Sequence, residues 1–238
     1  MKYLIFSDLH GNADALAAML SAMENISIDG YIFCGDLAGY YYDAHKVVEM
    51  FAMLRPLYSV KGNHDQLYCQ VFRNQTDSKA LIEKYGHSYA QIDPLVVRYI
   101  EQLSEKLEFN IQGCRALLVH GSPQDPLNGR IYPDTHLDKE IIPAGFDFVF
   151  CGHTHYRMLQ QIGYCNLINP GSLGQPRDGK GFSFAVLDCD RRTLSYRSVV
   201  INKSSLIQKV ELYDQENQYL KNIFFRKRDG QHETHFYY

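Results

Sequence analysis

The chain has 238 residues, 45% hydrophobic and 21% charged, with a formal net charge of −3 at pH 7, which is long and apolar enough to bury a sizeable core as one domain. Basic residues are scattered, with Arg191-Arg192 and Arg226-Lys227-Arg228 the only short clusters; they read as solvated surface, so no nucleic-acid stripe is expected. No apolar run approaches membrane-spanning length, and the first apolar run begins at Lys2 with no space for a leader, so the expectation is a cytoplasmic protein with no membrane partner.

The apolar runs Lys2 to Ser7, Tyr31 to Cys34, Leu57 to Val60, Ala116 to Val119, Phe146 to Cys151 and Asn166 to Asn169 read as short buried strands. After the first, Asn12 caps a helix whose stripe is Ala15, Leu16, Met19, Leu20 and Met23. The second leads through Gly35-Asp36 into a helix near Ala44 to Leu54, stopped by Pro56, and the third ends in Gly62-Asn63-His64-Asp65. Two helical patterns follow, around Lys79 to Gln91 and from Leu95 to Leu107, parted by Asp93-Pro94. Gly121 to Pro133, rich in Pro, Gly, Asn and Asp, predicts a long ordered loop. Phe182 to Leu187 and Thr193 to Val200 read as an antiparallel hairpin, and Ser204 to Tyr213 and Gln215 to Phe225 as packing helices. No linker or repeat divides the chain, so one domain over 1–238 is expected, with its motifs in 1–172 and an appended hairpin and helices in 182–225.

Five short segments close these strands: Asp8-Leu9-His10, Gly35-Asp36, Gly62-Asn63-His64-Asp65, His120-Gly121 and Gly152-His153-Thr154-His155. Loops beyond the carboxyl ends of strands in an α/β sheet share one rim, so the pattern predicts one composite site. Its oxygen and nitrogen donors suffice for two metal ions, the pair that phosphate-ester hydrolysis uses at about 3.5–4 Å. Asp36 can bridge them, Asp8 adds a second carboxylate, and imidazoles with the Asn63 amide complete the shells. Imidazole and carboxylate without thiolate favours Mn²⁺, Fe, Zn²⁺, Ni²⁺ or Co²⁺ over Ca²⁺ and an ordinary Mg²⁺ site without choosing among them, and Mn²⁺ is the leading expectation. His64 directly follows Asn63, and neighbours beyond a strand end do not usually face one ion, so His64 is left to contact the ester and protonate the leaving oxygen.

These segments, in this order, resemble the calcineurin-like metallophosphoesterase superfamily, whose pattern is Asp-x-His, Gly-Asp, Gly-Asn-His-Asp/Glu, His and Gly-His-x-His. His120-Gly121-Ser122-Pro123 and Asn169-Pro170-Gly171-Ser172 are similar to stretches in its small bacterial and archaeal phosphodiesterase-like branch. The resemblance implies an α/β fold in four layers, α/β/β/α, with two mixed sheets packed face to face between helices. It implies one metal on Asp8, His10, Asp36 and His155, a second on Asp36, Asn63, His120 and His153, His64 as the catalytic histidine, and hydrolysis by a metal-activated hydroxide. The protein Ser/Thr phosphatase branch carries Gly-Asp-x-Val-Asp-Arg-Gly and Arg-Gly-Asn-His-Glu. Here the same places read Gly35-Asp36-Leu37-Ala38-Gly39 and Lys61-Gly62-Asn63-His64-Asp65, without the two arginines.

The leading expectation is therefore a phosphodiesterase or phosphatase acting on a small organic phosphate or nucleotide. The alternatives are a phosphoprotein or dinucleoside-polyphosphate phosphatase and, in another class, a non-catalytic protein-binding scaffold of the same fold. Arg177 and Asn12 are candidates for substrate contact, against a surface ion pair for the first and helix capping, the favoured reading, for the second. Tyr40, Tyr41 and Tyr42 are read as packing residues, and His45, His87, His136, His232 and His235 as surface. The six cysteines contain no Cys-x-x-Cys pair, and Cys34 and Cys151 read as small buried hydrophobes of a reducing compartment.

Overall fold

The computed structural model describes residues 1–137, 139–225 and 236–237. The basic cluster Arg226-Lys227-Arg228 and the histidines His232 and His235, expected at the surface, lie outside them. In chain order the elements are β1 (Lys2–Phe6), α1 (Ala13–Ala22), β2 (Gly30–Phe33), α2 (Ala44–Phe51), β3 (Leu57–Ser59), α3 (Asn63–Phe72), α4 (Ser78–Tyr85) and α5 (Pro94–Ile100). They continue with β4 (Lys106–Ile111), β5 (Cys114–Val119), β6 (Phe148–Phe150), β7 (Arg157–Ile162), β8 (Cys165–Pro170), β9 (Phe182–Asp188), β10 (Thr193–Val199), α6 (Lys203–Tyr213), α7 (Gln218–Asn222) and β11 (Phe236–Tyr237).

The strands form two mixed sheets, ordered β11-β10-β9-β1-β2-β3 and β4-β5-β6-β8-β7. In the first, β1, β2 and β3 run parallel while β9 and β10 are antiparallel additions. In the second, β5, β6 and β8 are parallel and the two edges, β4 and β7, antiparallel. Alternation along each strand sends Tyr3, Ile5, Ile32 and Cys34 inward against Ala116, Leu118, Phe148, Phe150 and Ile168 of the other sheet. The opposite face of the first sheet, with Leu4, Phe6, Phe33 and Phe184, packs under the helices. The outer face of the second, with Leu117, Val119, Val149 and Leu167, is covered by Ile131, Ile142 and Phe146 from the segment between β5 and β6, which carries a single 3-10 turn.

The α1 cap is as expected, Asn12 accepting from the Ala15 N–H at 3.1 Å. Leu16 and Met19 are fully buried, each contributing about 1.5–3 kcal/mol of apolar transfer. Several elements differ from the sequence reading. The helix expected from Lys79 ends at Tyr85 and gives way to a 3-10 turn at His87–Tyr89, and the one expected up to Leu107 ends at Ile100. Leu107 instead lies in β4, and β7 was not expected at all. The helix expected from Gln215 is the short α7 followed by a 3-10 turn. Helix α3, not foreseen, begins at Asn63, so the Gly-Asn-His-Asp segment is a helix start rather than a loop.

The C-terminal helices are tied to two segments beside the site. Asp214 accepts from Tyr42 Oη at 2.5 Å and from the His87 N–H at 2.9 Å, and the Leu220 carbonyl accepts from Tyr41 Oη at 3.2 Å. No helix among the described residues is long and apolar enough to cross a membrane.

Candidate metal centre

The loops after β1, β2, β3, β5, β6 and β8 meet at one rim and are stitched by backbone hydrogen bonds. Asp8 N–H donates to the Gly35 carbonyl at 2.9 Å, His10 N–H to Asp36 at 3.0 Å, Gly152 N–H to His120 at 2.8 Å and Gly174 N–H to Asp8 at 3.0 Å. Asp8, His10, Asp36, His153 and His155 all have positive φ, between 52° and 65°. Side-chain-bearing residues seldom adopt this conformation, and it concentrates where surrounding contacts over-determine the chain at functional sites. It curls each short loop back over the strand end.

Two groups of ligand atoms gather there, each within 4.8 Å of one another: Asp8, His10 and His155, and Asp36, His120 and His153, all buried. His155 Nε2 lies 3.1 Å from Asp8 Oδ1 and 3.1 Å from His10 Nε2. His120 Nε2 lies 3.2 Å from Asp36 Oδ2 and 3.1 Å from Asn63 Oδ1, which brings Asn63 to the second group. Asp36 Oδ2 is also 3.8 Å from His10 Nε2, so it stands between the two. Asp8 Oδ1 and Asp36 Oδ2 are buried without a hydrogen-bond partner. A buried carboxylate oxygen left bare is costly, and a cation between these groups removes that cost, so the residues present fit two metal ions.

The rings are held from behind. Nδ1 of His10, His120 and His155 meets the carbonyls of Ala38, Cys34 and Gln175 at 3.2, 2.7 and 2.6 Å. A carbonyl only accepts, so each Nδ1 carries a proton and Nε2 is the atom left to offer a lone pair to an ion, for His120 once its second proton has gone. The α3 start points at Asp36, whose Oδ1 accepts from the His64 N–H at 2.9 Å, using an N–H that no helical carbonyl reaches. Asp65, fully buried, accepts from the N–H groups of Asp36, Ala38 and Gly62, each at 2.9 Å, and locks two loops together.

Burial opposes ionisation of Asp8 and Asp36, but His155 beside the first and His120 beside the second outweigh it and hold both carboxyls below the usual range. Burial pushes His10 and His155 down, and His64 and His153 down to about 4, so these rings are neutral at neutral pH. For His120 burial also acts downward, but the Asp36 carboxylate prevails and raises it to about 9.

His64 sits at the edge of the centre, its ring 5.1 Å from that of His10 and 4.7 Å from those of Tyr40 and Tyr85. Arg177 donates from Nη2 to Gln175 Oε1 at 3.0 Å and Tyr40 Oη at 3.4 Å, and its buried Nε has no partner. It is a partly buried cation whose charge reaches both His64 and His155, not a member of a surface ion pair. Asn12 is engaged at both ends of its amide, accepting from Ala15 N–H and donating to the Gly174 carbonyl at 3.0 Å, the capping role. Tyr40 and Tyr41 are buried, and His45, His87 and His136 are exposed. The six cysteines are free, with Cys34 and Cys151 buried as expected.

Residues 1–192 match the family model of the calcineurin-like phosphoesterase superfamily domain. The chain belongs to that superfamily. Within it, an uncharacterised protein of Methanocaldococcus jannaschii is 32% identical over 196 residues, covering 74% of this chain and 77% of that protein. A metallophosphoesterase from Sphaerobacter thermophilus superposes with a TM-score of 0.75 at 25% identity, over 94% of this chain and 98% of that one. A hypothetical protein of Pyrococcus horikoshii shares the fold, with a TM-score of 0.79 at 19% identity over 95% and 99%. The superfamily fold, two mixed sheets flanked by helices, is the expected one.

Three residues around the centre escaped the sequence reading. Arg130 donates from Nε to His153 Nε2 at 3.0 Å from the long loop after His120. Asp65 was within a recognised motif but carried no role. Tyr89, whose hydroxyl lies 2.6 Å from His64 Nδ1, comes from a 3-10 turn with no motif to flag it.

Proposed function

We propose that this chain is a dinuclear metal-dependent phosphoesterase acting on a small organic phosphate or nucleotide, as a phosphodiesterase or phosphatase. The pair of partnerless carboxylate oxygens, Asp8 Oδ1 and Asp36 Oδ2, facing the Nε2 atoms of His155 and His120 carries this reading. One ion would be held by Asp8, His10, Asp36 and His155, the other by Asp36, Asn63, His120 and His153, with Asp36 shared. Manganese suits this donor set, and iron, zinc, nickel or cobalt also fit it. Two such ions supply Lewis acidity and a water of lowered pKa.

The remaining work falls to the chain's own groups. The Arg177 guanidinium, partly buried with a bare Nε, offers charge-assisted donors to a phosphate oxygen. His64 contacts the ester and gives a proton or hydrogen bond to the leaving oxygen. The similarity, at 25% identity over 94% of this chain, to a protein described as a metallophosphoesterase supports this class, and six free cysteines suit the reducing cytoplasm.

The test combines metal content with turnover of manganese-loaded protein on chromogenic diesters and monoesters, dinucleotides and phosphopeptides. His64→Ala is expected to keep its metal and lose about 10²–10⁴-fold in kcat on esters with poor leaving groups. Normal turnover of that variant on such esters would remove His64 from the mechanism. Bound metal without hydrolysis of any ester would instead favour a binding scaffold.

A further inference from the structure

Four of the five imidazole rings near the centre divide by what stands behind Nδ1. His10, His120 and His155 face backbone carbonyls, which fixes their proton on Nδ1. His64 faces a hydroxyl, Tyr89 Oη at 2.6 Å, and a hydroxyl can donate as well as accept. Its other acceptor, the His64 carbonyl, is distant at 3.5 Å, so the short contact is the better use of the O–H. Tyr89 is fully buried, beyond reach of solvent water, and burial holds its hydroxyl protonated well past the usual tyrosine range.

We propose that Tyr89 is a positioning residue that donates a hydrogen bond to Nδ1 and so holds neutral His64 in the tautomer with its N–H on Nε2. The consequence is chemical. Of the four rings, His64 alone then presents a donor rather than a lone pair, and this keeps it out of the metal shells while fitting it to hydrogen-bond an oxygen of the ester. The role rests on the phosphoesterase reading, but the tautomer does not.

Gly39 makes the contact possible. Its φ is +94°, and a Cβ there would lie 2.8 Å from Tyr89 Oη and 3.0 Å from His64 Nδ1. The absent side chain leaves the space that the hydroxyl reaches into. Tyr40 and Tyr85, each with its ring centroid 4.7 Å from that of His64, hold the imidazole plane, so Tyr89 has only the proton position to decide.

The test uses full-length protein with ¹⁵N-labelled histidine. Long-range ¹H–¹⁵N correlation of the zinc-loaded form should show His64 protonated on Nε2 and His10, His120 and His155 on Nδ1. Tyr89→Phe, which keeps the ring, should shift His64 toward the Nδ1–H form with metal content unchanged. In turnover it should lower kcat by about 10- to 100-fold on an alkyl diester and less than about 3-fold on a nitrophenyl diester, with KM steady. Added to His64→Ala it should cost nothing further. His64 carrying Nδ1–H in the wild type, or unchanged kcat of Tyr89→Phe on alkyl diesters, overturns the proposal. If wild-type protein hydrolyses no ester, the phosphoesterase reading fails, while the spectrum still decides the tautomer.

Discussion

Gly62 is the position where one methyl group should do most harm to the centre. Its backbone is extended, φ −101° and ψ −177°, so alanine is not strained there by conformation. A Cβ would nevertheless fall 2.0 Å from Asp36 Oδ1 and 2.6 Å from Asp36 N, whereas ordinary contact begins near 3.4 Å. The carboxylate must retreat by roughly 1.4 Å, which ends the 2.9 Å bond from the His64 N–H and the 3.2 Å approach to His120. Overpacking of this kind costs about 1–3 kcal/mol, or roughly 2–4 °C of melting temperature per kcal/mol in a chain of this size. Displacing the shared carboxylate is expected to lower metal affinity by at least the ~10–100-fold typical of disturbed ligand support. Metal content after dialysis against limiting Mn²⁺, with a melting curve, measures both. Gly113→Ala is the control: its Cβ meets nothing within 4 Å but sits at φ +84°, so it should lose about 1–2 kcal/mol and no metal. If Gly62→Ala retains as much metal as Gly113→Ala, the placement of Asp36 as the shared ligand is wrong.

In metal-free protein His120, held at about 9 by Asp36, is an imidazolium at neutral pH and must give up its proton before binding an ion. Calorimetry at pH 7.5 in buffers of different ionisation heat should show about one proton released on zinc uptake, with affinity rising as pH rises toward about 9; no release would contradict it. The folded value is raised above the ordinary 6.5, so the stability this ring gives the metal-free fold is complete below 6.5 and fades as pH climbs through about 9. Melting temperatures across that window should fall for wild-type protein and stay flatter for His120→Gln. Asn169, fully buried, donates to the Gly152 carbonyl at 2.7 Å and Thr154 Oγ1 at 3.1 Å and accepts from Gly171 N–H at 2.9 Å. Asn169→Ala should therefore cost about 1–3 kcal/mol and loosen the loop holding His153 and His155, read as a lower midpoint in urea.

The central strands β1, β2, β5, β6 and β8 were legible because they are buried on both faces and so read as unbroken apolar runs. Strands β4 and β7, which escaped, are the edges of the second sheet. With exposed Lys106, Glu108 and Gln161 on their outward positions, their runs carry too much polarity to stand out. The start of α3 was hidden because Gly62 caps it without a side chain and its first turn, Asn63-His64-Asp65, carries polar side chains in place of an apolar stripe. The seven candidate ligands were legible because each follows a readable strand, and topology brings such ends together. Tyr89 and Arg130 reach the centre from segments that no periodicity connects to it, and only tertiary packing shows their approach.

Helices α6 and α7 lie outside residues 1–192, the stretch matching the superfamily domain, yet Asp214 anchors both Tyr42 and His87, and Tyr219 Oη reaches Gln175 Oε1 at 3.5 Å. Through these bonds the tail braces the tyrosine wall against which His64 rests. A fragment trimmed at the domain boundary would keep every side chain proposed to grip an ion while shedding the buttress around His64. On the phosphoesterase reading, the smallest working unit is thus expected to be longer than the stretch bearing the signature motifs, and capture of metal alone would be a poor proxy for turnover.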